Sequence, residues 1–80
     1  MKDITDEQVL RAVIKSRETD FTPWPYEILE AETGQPEKVC YRAMERADRR
    51  GLLEYGVSLR TAWLTDKGKA LLLATPATSA

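Results

Sequence analysis

The sequence lacks histidine altogether and contains a single cysteine, Cys40. One thiol excludes an internal disulfide, and without histidine the chain cannot assemble a zinc cluster, a Cys–His pair or a Ser–His–Asp triad. A chain of 80 residues also has one modest core and little room for a deep cofactor pocket. We therefore expect neither an enzyme nor a bound cofactor or metal ion.

Long hydrophobic runs are missing as well. The longest have four or five residues, such as residues 70–74, whereas about 20 are needed to cross a bilayer. The first residues have no apolar stretch behind Lys2, which is unlike a secretory signal. These features predict a cytoplasmic protein with no membrane partner.

The near-neutral net charge of −1 hides an asymmetry along the chain. Residues 1–34 carry four basic and eight acidic side chains, whereas residues 35–80 carry eight basic and five acidic ones. With 42% hydrophobic and 31% charged residues the chain is expected to fold as a globular domain. The asymmetry indicates that one surface of this domain faces a polyanion.

Capping signals and apolar periodicity predict two helices in the first half of the chain. A capping box of Thr5 and Gln8, followed by apolar residues at helical spacing, predicts a first helix that ends near Arg17. Thr22 and Pro23 are typical of an N-cap and a first helical position. We therefore expect a second helix from about Pro23 to Glu32, which Gly34 follows as a stop signal.

A third helix is predicted from about Pro36 to Arg50, with Gly51 as its stop signal. Four small or apolar residues recur at the spacing of one helical face, which we expect to be buried: Cys40, Ala43, Met44 and Ala47. In this setting Cys40 is interpreted as a small buried residue rather than a reactive thiol.

The periodicity changes from helical to alternating after Gly51, which predicts a hairpin between residues 53 and 64. Leu59 and Arg60 are expected near its projecting tip. Trp24 and Trp63 lie on apolar stripes and are expected in the core. A short last helix is predicted from residue 67 to about 73, and residues 75–80 are expected to form a frayed tail.

This order of elements predicts an α+β, mainly helical fold with the layout of a winged helix-turn-helix, in one domain over residues 1–74. Four sequence segments then carry a specific resemblance: Leu29-Glu30-Ala31-Glu32-Thr33-Gly34, the pair Arg42 and Met44, Arg50-Gly51-Leu52-Leu53, and Leu64-Thr65-Asp66-Lys67-Gly68. In this order and spacing they resemble the MarR/PadR group of bacterial winged-helix regulators over roughly residues 24 to 72. The long flanking helices of full-size members are absent.

The resemblance implies a protein that binds double-stranded DNA, with the third helix in the major groove and the wing on the backbone or minor groove. Such a protein would be a transcriptional regulator or a phage or plasmid accessory factor. The candidates for base contacts lie near the start of the helix: Gln35, Glu37, Lys38, Tyr41 and Arg42. The candidates for phosphate contacts are Arg46, Arg60 and Lys67.

Two alternatives stay open at this point. The charged face of the third helix could be an ordinary solvated surface on which Arg42 pairs with Glu45. The domain could also be a protein-interaction module without DNA binding, a hypothesis that gains if Glu37 and Glu45 neutralise the basic patch. A homodimer is open too, because three leucines at positions 71–73 offer apolar surface.

Overall fold

The structure is a computed structural model that describes residues 4–74, and this part of the chain contains four α-helices and one two-stranded antiparallel sheet. The elements are α1 (Asp6–Glu18), α2 (Pro25–Thr33), α3 (Glu37–Arg49), β1 (Leu53–Glu54), β2 (Trp63–Leu64) and α4 (Asp66–Ala74). One turn of 3-10 helix (Leu59–Thr61) lies between the strands. The predicted α+β, mainly helical class is confirmed, and residues 75–80 lie outside the described residues.

The capping box at the start of α1 forms as predicted. The Thr5 Oγ1 accepts the Gln8 amide at 3.1 Å, and the Gln8 Oε1 accepts the Thr5 amide at 2.9 Å. Ile4 and Val9, on either side of this cap, are both buried. Two of the four backbone amides that a helix start leaves without partners therefore have hydrogen bonds within the cap, which fixes where α1 begins.

The second helix begins two residues later than predicted. Trp24 is its N-cap, with an extended backbone (φ −66°, ψ 157°), and Pro25 is its first residue. The reason is steric, because a residue that precedes proline is disfavoured in the helical region. The Glu27 side chain accepts the Trp24 amide at 2.8 Å and closes this start. Trp24 is only half-buried, so its predicted place in the core is wrong.

The third helix buries the face that its spacing predicts. Gly34, with φ +73°, ends α2, and Gly51, with φ +76°, follows α3. The residues of the inner face are all buried: Cys40, Ala43, Met44 and Ala47. Burial raises the pKa of the Cys40 thiol above its ordinary value, so the group stays protonated at neutral pH. Its interpretation as a small core residue is confirmed.

The segment between the strands folds back onto the domain instead of projecting from it. Each strand has two residues, paired Leu53 with Leu64 and Glu54 with Trp63. Leu59 is 5% exposed and belongs to the core, whereas Val57 is 99% exposed. The prediction that Leu59 lies at a projecting tip is therefore wrong, because the 3-10 turn carries this apolar side chain inward.

Trp63 is 40% exposed, so its predicted place in the core is also wrong. Successive residues of a strand point to opposite faces of a sheet. Leu64 is the buried member of this pair, and its neighbour Trp63 must then face outward.

The last helix packs against the chain that follows α3 through a glycine. Thr65 Oγ1 accepts the Gly68 amide at 3.1 Å and donates to the Gly51 carbonyl at 2.6 Å. A Cβ atom at position 68 would lie 2.3 Å from the Leu52 carbonyl oxygen, which is far inside contact distance. Only glycine allows this approach between α4 and the chain before β1.

We expect Gly68→Ala to destabilise the domain by about 1–3 kcal/mol, because the cost of overpacking exceeds the gain of about 1 kcal/mol in helix propensity. Gly56→Ala is the matched control, since a Cβ there meets no atom within 4 Å. The measurement is urea unfolding followed by circular dichroism. Equal stabilities for the two variants would contradict the close contact at Gly68.

A second pair of variants tests the inward fold of the β1–β2 segment. Leu59→Ala is expected to cost about 2–5 kcal/mol, because it leaves a cavity in the core. Val57→Ala, two residues earlier, is expected to change stability by less than about 0.5 kcal/mol, since Val57 is exposed. Thermal unfolding of both variants decides the point, and a negligible effect of Leu59→Ala would mean that this segment projects into solvent.

Candidate functional site

The outer face of α3 carries a line of charged side chains on one side of the helix. Its four exposed members recur at helical spacing and form what we term the α3 ridge: Lys38, Arg42, Glu45 and Arg49. The buried residues of the same helix all lie on the opposite face, which packs against the core. Its charged side therefore stands out from the body of the domain.

An open groove of about 530 Å³ runs beside this ridge, between α2, the first half of α3 and the 3-10 turn. We call it the α2–α3 groove. Its lining residues are Tyr26, Glu37, Lys38, Tyr41, Arg42, Glu45 and Arg60. The structure thus brings together five of the eight residues that the sequence singles out: Glu37, Lys38, Tyr41, Arg42 and Arg60.

Two tyrosines in contact with each other line the groove, and one of them, Tyr26, contacts Arg60. The rings of Tyr26 and Tyr41 meet edge to face, with centroids 6.1 Å apart. The Arg60 guanidinium lies over the Tyr26 ring, 5.6 Å from its centroid. This cation–π contact places an exposed cation next to the first turns of α3 rather than at the end of a free hairpin.

The cations of the groove and ridge have no carboxylate partner among residues 4–74, a property they share with Arg17, Lys67 and Lys69. The ion pairs among residues 4–74 join Glu7 to Arg11, Lys15 to Glu32, and Asp6 to both Arg46 and Arg50. None of them includes the ridge cations or Arg60. In particular, the pair of Arg42 with Glu45 that an ordinary solvated face would show does not form within this part of the chain.

The α2–α3 groove also contains two carboxylates. Glu37 and Glu45 lie on its wall together with three cations, Lys38, Arg42 and Arg60, so its formal charge is positive by one. The basic surface is therefore interrupted by acidic groups. Such a mixed surface can offer hydrogen-bond acceptors as well as donors to a ligand.

Two of the residues predicted to contact phosphate, Arg46 and Lys67, make hydrogen bonds within the fold. The Arg46 Nε donates to Asp6 Oδ1 at 3.3 Å, and its guanidinium also donates to the Ile4 carbonyl. The Lys67 Nζ donates to the Arg50 carbonyl at 2.8 Å and so satisfies an end group of α3. Both residues join elements of the domain to one another, and neither lines the groove.

Gln35, the remaining candidate, lies in the turn before α3 and outside the groove lining. Its backbone amide donates to Thr33 Oγ1 at 3.2 Å, and its backbone carbonyl accepts a hydrogen bond from the Cys40 thiol at 3.6 Å. Its backbone thus shapes the turn between α2 and α3.

Sequence reasoning missed Tyr26, which lines the groove and carries the Arg60 contact. The available signal was weak, because a tyrosine in the first turn of a short helix is equally typical of a core residue. Only the packing of α2 against α3, together with the return of the β1–β2 segment, shows that it carries Arg60.

No protein-family model matches the sequence, and no curated protein or solved structure matches it closely enough to count as a relative. Within residues 4–74 no group of three or more cysteine, aspartate or glutamate side chains is arranged to hold a metal ion. In the same part of the chain no helix has the length and apolarity needed to span a bilayer.

The different surroundings of Arg46 and Arg42 predict different effects on stability. Arg46→Ala is expected to cost about 1–3 kcal/mol, because it leaves the Ile4 carbonyl without its donor and Asp6 (15% exposed) with one charged partner, Arg50, instead of two. Arg42→Ala, one turn earlier on the exposed ridge, is expected to stay within about 0.5 kcal/mol of the wild type. Urea unfolding of both variants measures the contrast, and equal losses would contradict it.

Proposed function

We propose that this chain is a winged helix-turn-helix domain that binds double-stranded DNA through α3. The order of elements supports this proposal, because three packed helices with a tight turn before the third are followed by a small hairpin and a last helix. Gly34 makes the turn between α2 and α3 with a left-handed backbone. In this layout α3 is the recognition helix and the β1–β2 segment is a short wing.

The observation that carries the proposal is that the three cations of the α3 ridge are exposed on one side of the helix and have no carboxylate partner in the described part of the chain. A DNA major groove is about 12 Å wide and admits one α-helix. With α3 in that groove, Lys38 and Arg42 face base edges near the helix start, and Arg49 faces a phosphate. Glu37 and Glu45 do not oppose this arrangement, since a carboxylate can accept a hydrogen bond from the cytosine amino group.

Arg60 supports the same proposal from the wing. Its contact with Tyr26 holds the guanidinium beside the first turns of α3, where a DNA backbone would pass. The wing of this domain would therefore contribute a positioned phosphate contact, although it does not project.

The acidic groups of the α2–α3 groove favour a second candidate function, a protein-interaction module. Glu37 and Glu45 neutralise part of the basic surface, and two tyrosines line the same groove. A peptide that carries both an aromatic or aliphatic side chain and charged groups would fit such a groove. The two functions predict opposite results with DNA alone.

The experiment that separates them is binding of the purified chain to labelled duplex DNA over a series of salt concentrations. We expect the logarithm of the affinity to fall with the logarithm of salt with a slope of about −3 to −4, which corresponds to three or four neutralised phosphates. Fluorescence anisotropy gives the affinity directly. If a folded sample shows no binding at low salt, the protein-interaction function replaces DNA binding.

Matched variants assign the contacts. Arg42→Ala should weaken binding by about 1–3 kcal/mol and relax preference at one base pair, whereas Arg60→Ala should reduce the magnitude of the salt slope by about one. Arg11→Ala is the control, because Arg11 lies on α1 and pairs with Glu7 at 2.7 Å. A loss of affinity in Arg11→Ala equal to that in Arg42→Ala would place the DNA on a different surface.

A further inference from the structure

A second open cleft, of about 510 Å³, lies between the end of α1, β2 and α4. Its lining residues are Ile14, Arg17, Glu18, Trp63, Leu64 and Lys69, and we call it the α1–β2 cleft. No residue of this cleft lines the α2–α3 groove. Both surfaces of the domain can therefore be occupied at the same time.

The centre of the α1–β2 cleft is apolar and accessible. Trp63 is 40% exposed and Ile14 is 38% exposed, and both line the cleft together with the buried Leu64. Leu73, one helical turn after Lys69 on α4, is also exposed and extends the apolar surface on that side. A partly exposed tryptophan in a cleft is the residue type that most often dominates a protein–protein contact.

The charges around this centre are of two kinds. Arg17 is engaged within the fold, since its Nη1 donates to the Thr61 and Ala62 carbonyls at 3.4 Å and its guanidinium lies over the Phe21 ring. Glu18 and Lys69 remain, and they pair neither with each other nor with any other residue in the described part of the chain. The apolar centre thus has one unpaired carboxylate and one unpaired ammonium group at its rim, beside the Arg17 guanidinium, which keeps its charge and has no carboxylate partner among residues 4–74.

We propose that the α1–β2 cleft binds a second copy of this chain about a two-fold axis that passes close to Trp63. A two-fold contact places the same surface on both sides, so it must be self-complementary. The unpaired Glu18 and Lys69 meet this condition, because Glu18 of one copy then faces Lys69 of the partner subunit, twice, while each Arg17 stays on the Thr61 and Ala62 carbonyls of its own copy. A partner of single charge would leave one of the two groups unmatched.

The small size of the surface sets the strength of this contact. A stable dimer buries about 800 Å² on each partner, whereas the cleft offers two exposed apolar side chains and the nearby Leu73. The dimer is therefore weak in solution, with a dissociation constant of roughly 10 µM to 1 mM. The proposal does not rest on DNA binding, and its test uses the protein alone.

The test is sedimentation equilibrium of the full chain up to about 1 mM, with two charge reversals. Glu18→Lys and Lys69→Glu should each raise the dissociation constant of the dimer by about tenfold, because each places like charges opposite one another twice. Both reversals suit their helices, since a cation is favoured at the end of α1 and an anion in the first turns of α4.

Mixing the two variants is the decisive arm. In a mixed dimer, Lys at position 18 faces Glu at position 69, and the native charge pair between the other two positions is retained. An equimolar mixture should therefore regain the wild-type affinity. Neither unfolding of the variants nor binding of a different partner at this cleft would restore association on mixing. Monomeric behaviour of the wild type at 1 mM, unchanged association of either single variant, or a mixture that stays monomeric would each overturn the proposal.

Trp63→Ser provides an independent readout of the apolar centre. It should abolish association, and circular dichroism checks that the variant is folded. A folded Trp63→Ser variant that still associates as the wild type does would mean that the contact lies elsewhere, which also overturns the proposal.

Discussion

Asp6 accepts hydrogen bonds from Arg46 and Arg50 at once, and this contact fastens the first turn of α1 to the last turns of α3. The carboxylate lies at the positive end of one helix dipole and the two cations lie at the negative end of another, so both dipoles favour the pairing. The position of the chain after α3 depends on where this helix ends. Leu52 comes three residues after the last residue of α3, Arg49, and its carbonyl is the group against which Gly68 of α4 packs.

The same contact determines which cations the surface offers. Arg46 and Arg50 are drawn to the acidic start of α1, while Lys38, Arg42 and Arg49 stay on the α3 ridge. The charge asymmetry along the sequence thus becomes an asymmetry in space, although part of it is consumed by the fold itself. A count of basic residues in the second half overstates the electrostatic attraction that a polyanion would meet.

Elements held by local interactions could be predicted, and features held by distant contacts could not. The cap at Thr5 and the buried stripe that begins at Cys40 depend on residues within a few positions, so their pattern is visible in the sequence. For the site, spacing along α3 indicated the groove residues of that helix. The pairing of Arg46 with Asp6 spans 40 residues, and the burial of Leu59 depends on how a whole segment folds back. Trp63 was predictable in principle, because strand alternation excludes burying both it and its neighbour Leu64.

A domain of this size has little room to enclose a ligand, and the α2–α3 groove and the α1–β2 cleft are both open surfaces. Under the proposal of a dimer, the contact through the α1–β2 cleft is weak by itself. DNA that holds two copies side by side raises the effective concentration of one α1–β2 cleft for the other, so a contact too weak to persist in solution becomes significant on the duplex. Coupling of this kind is reciprocal, and a dimer formed through Trp63 must favour DNA binding by the same factor by which DNA favours the dimer. Two small surfaces with no residue in common would then give a cooperativity that neither surface has alone.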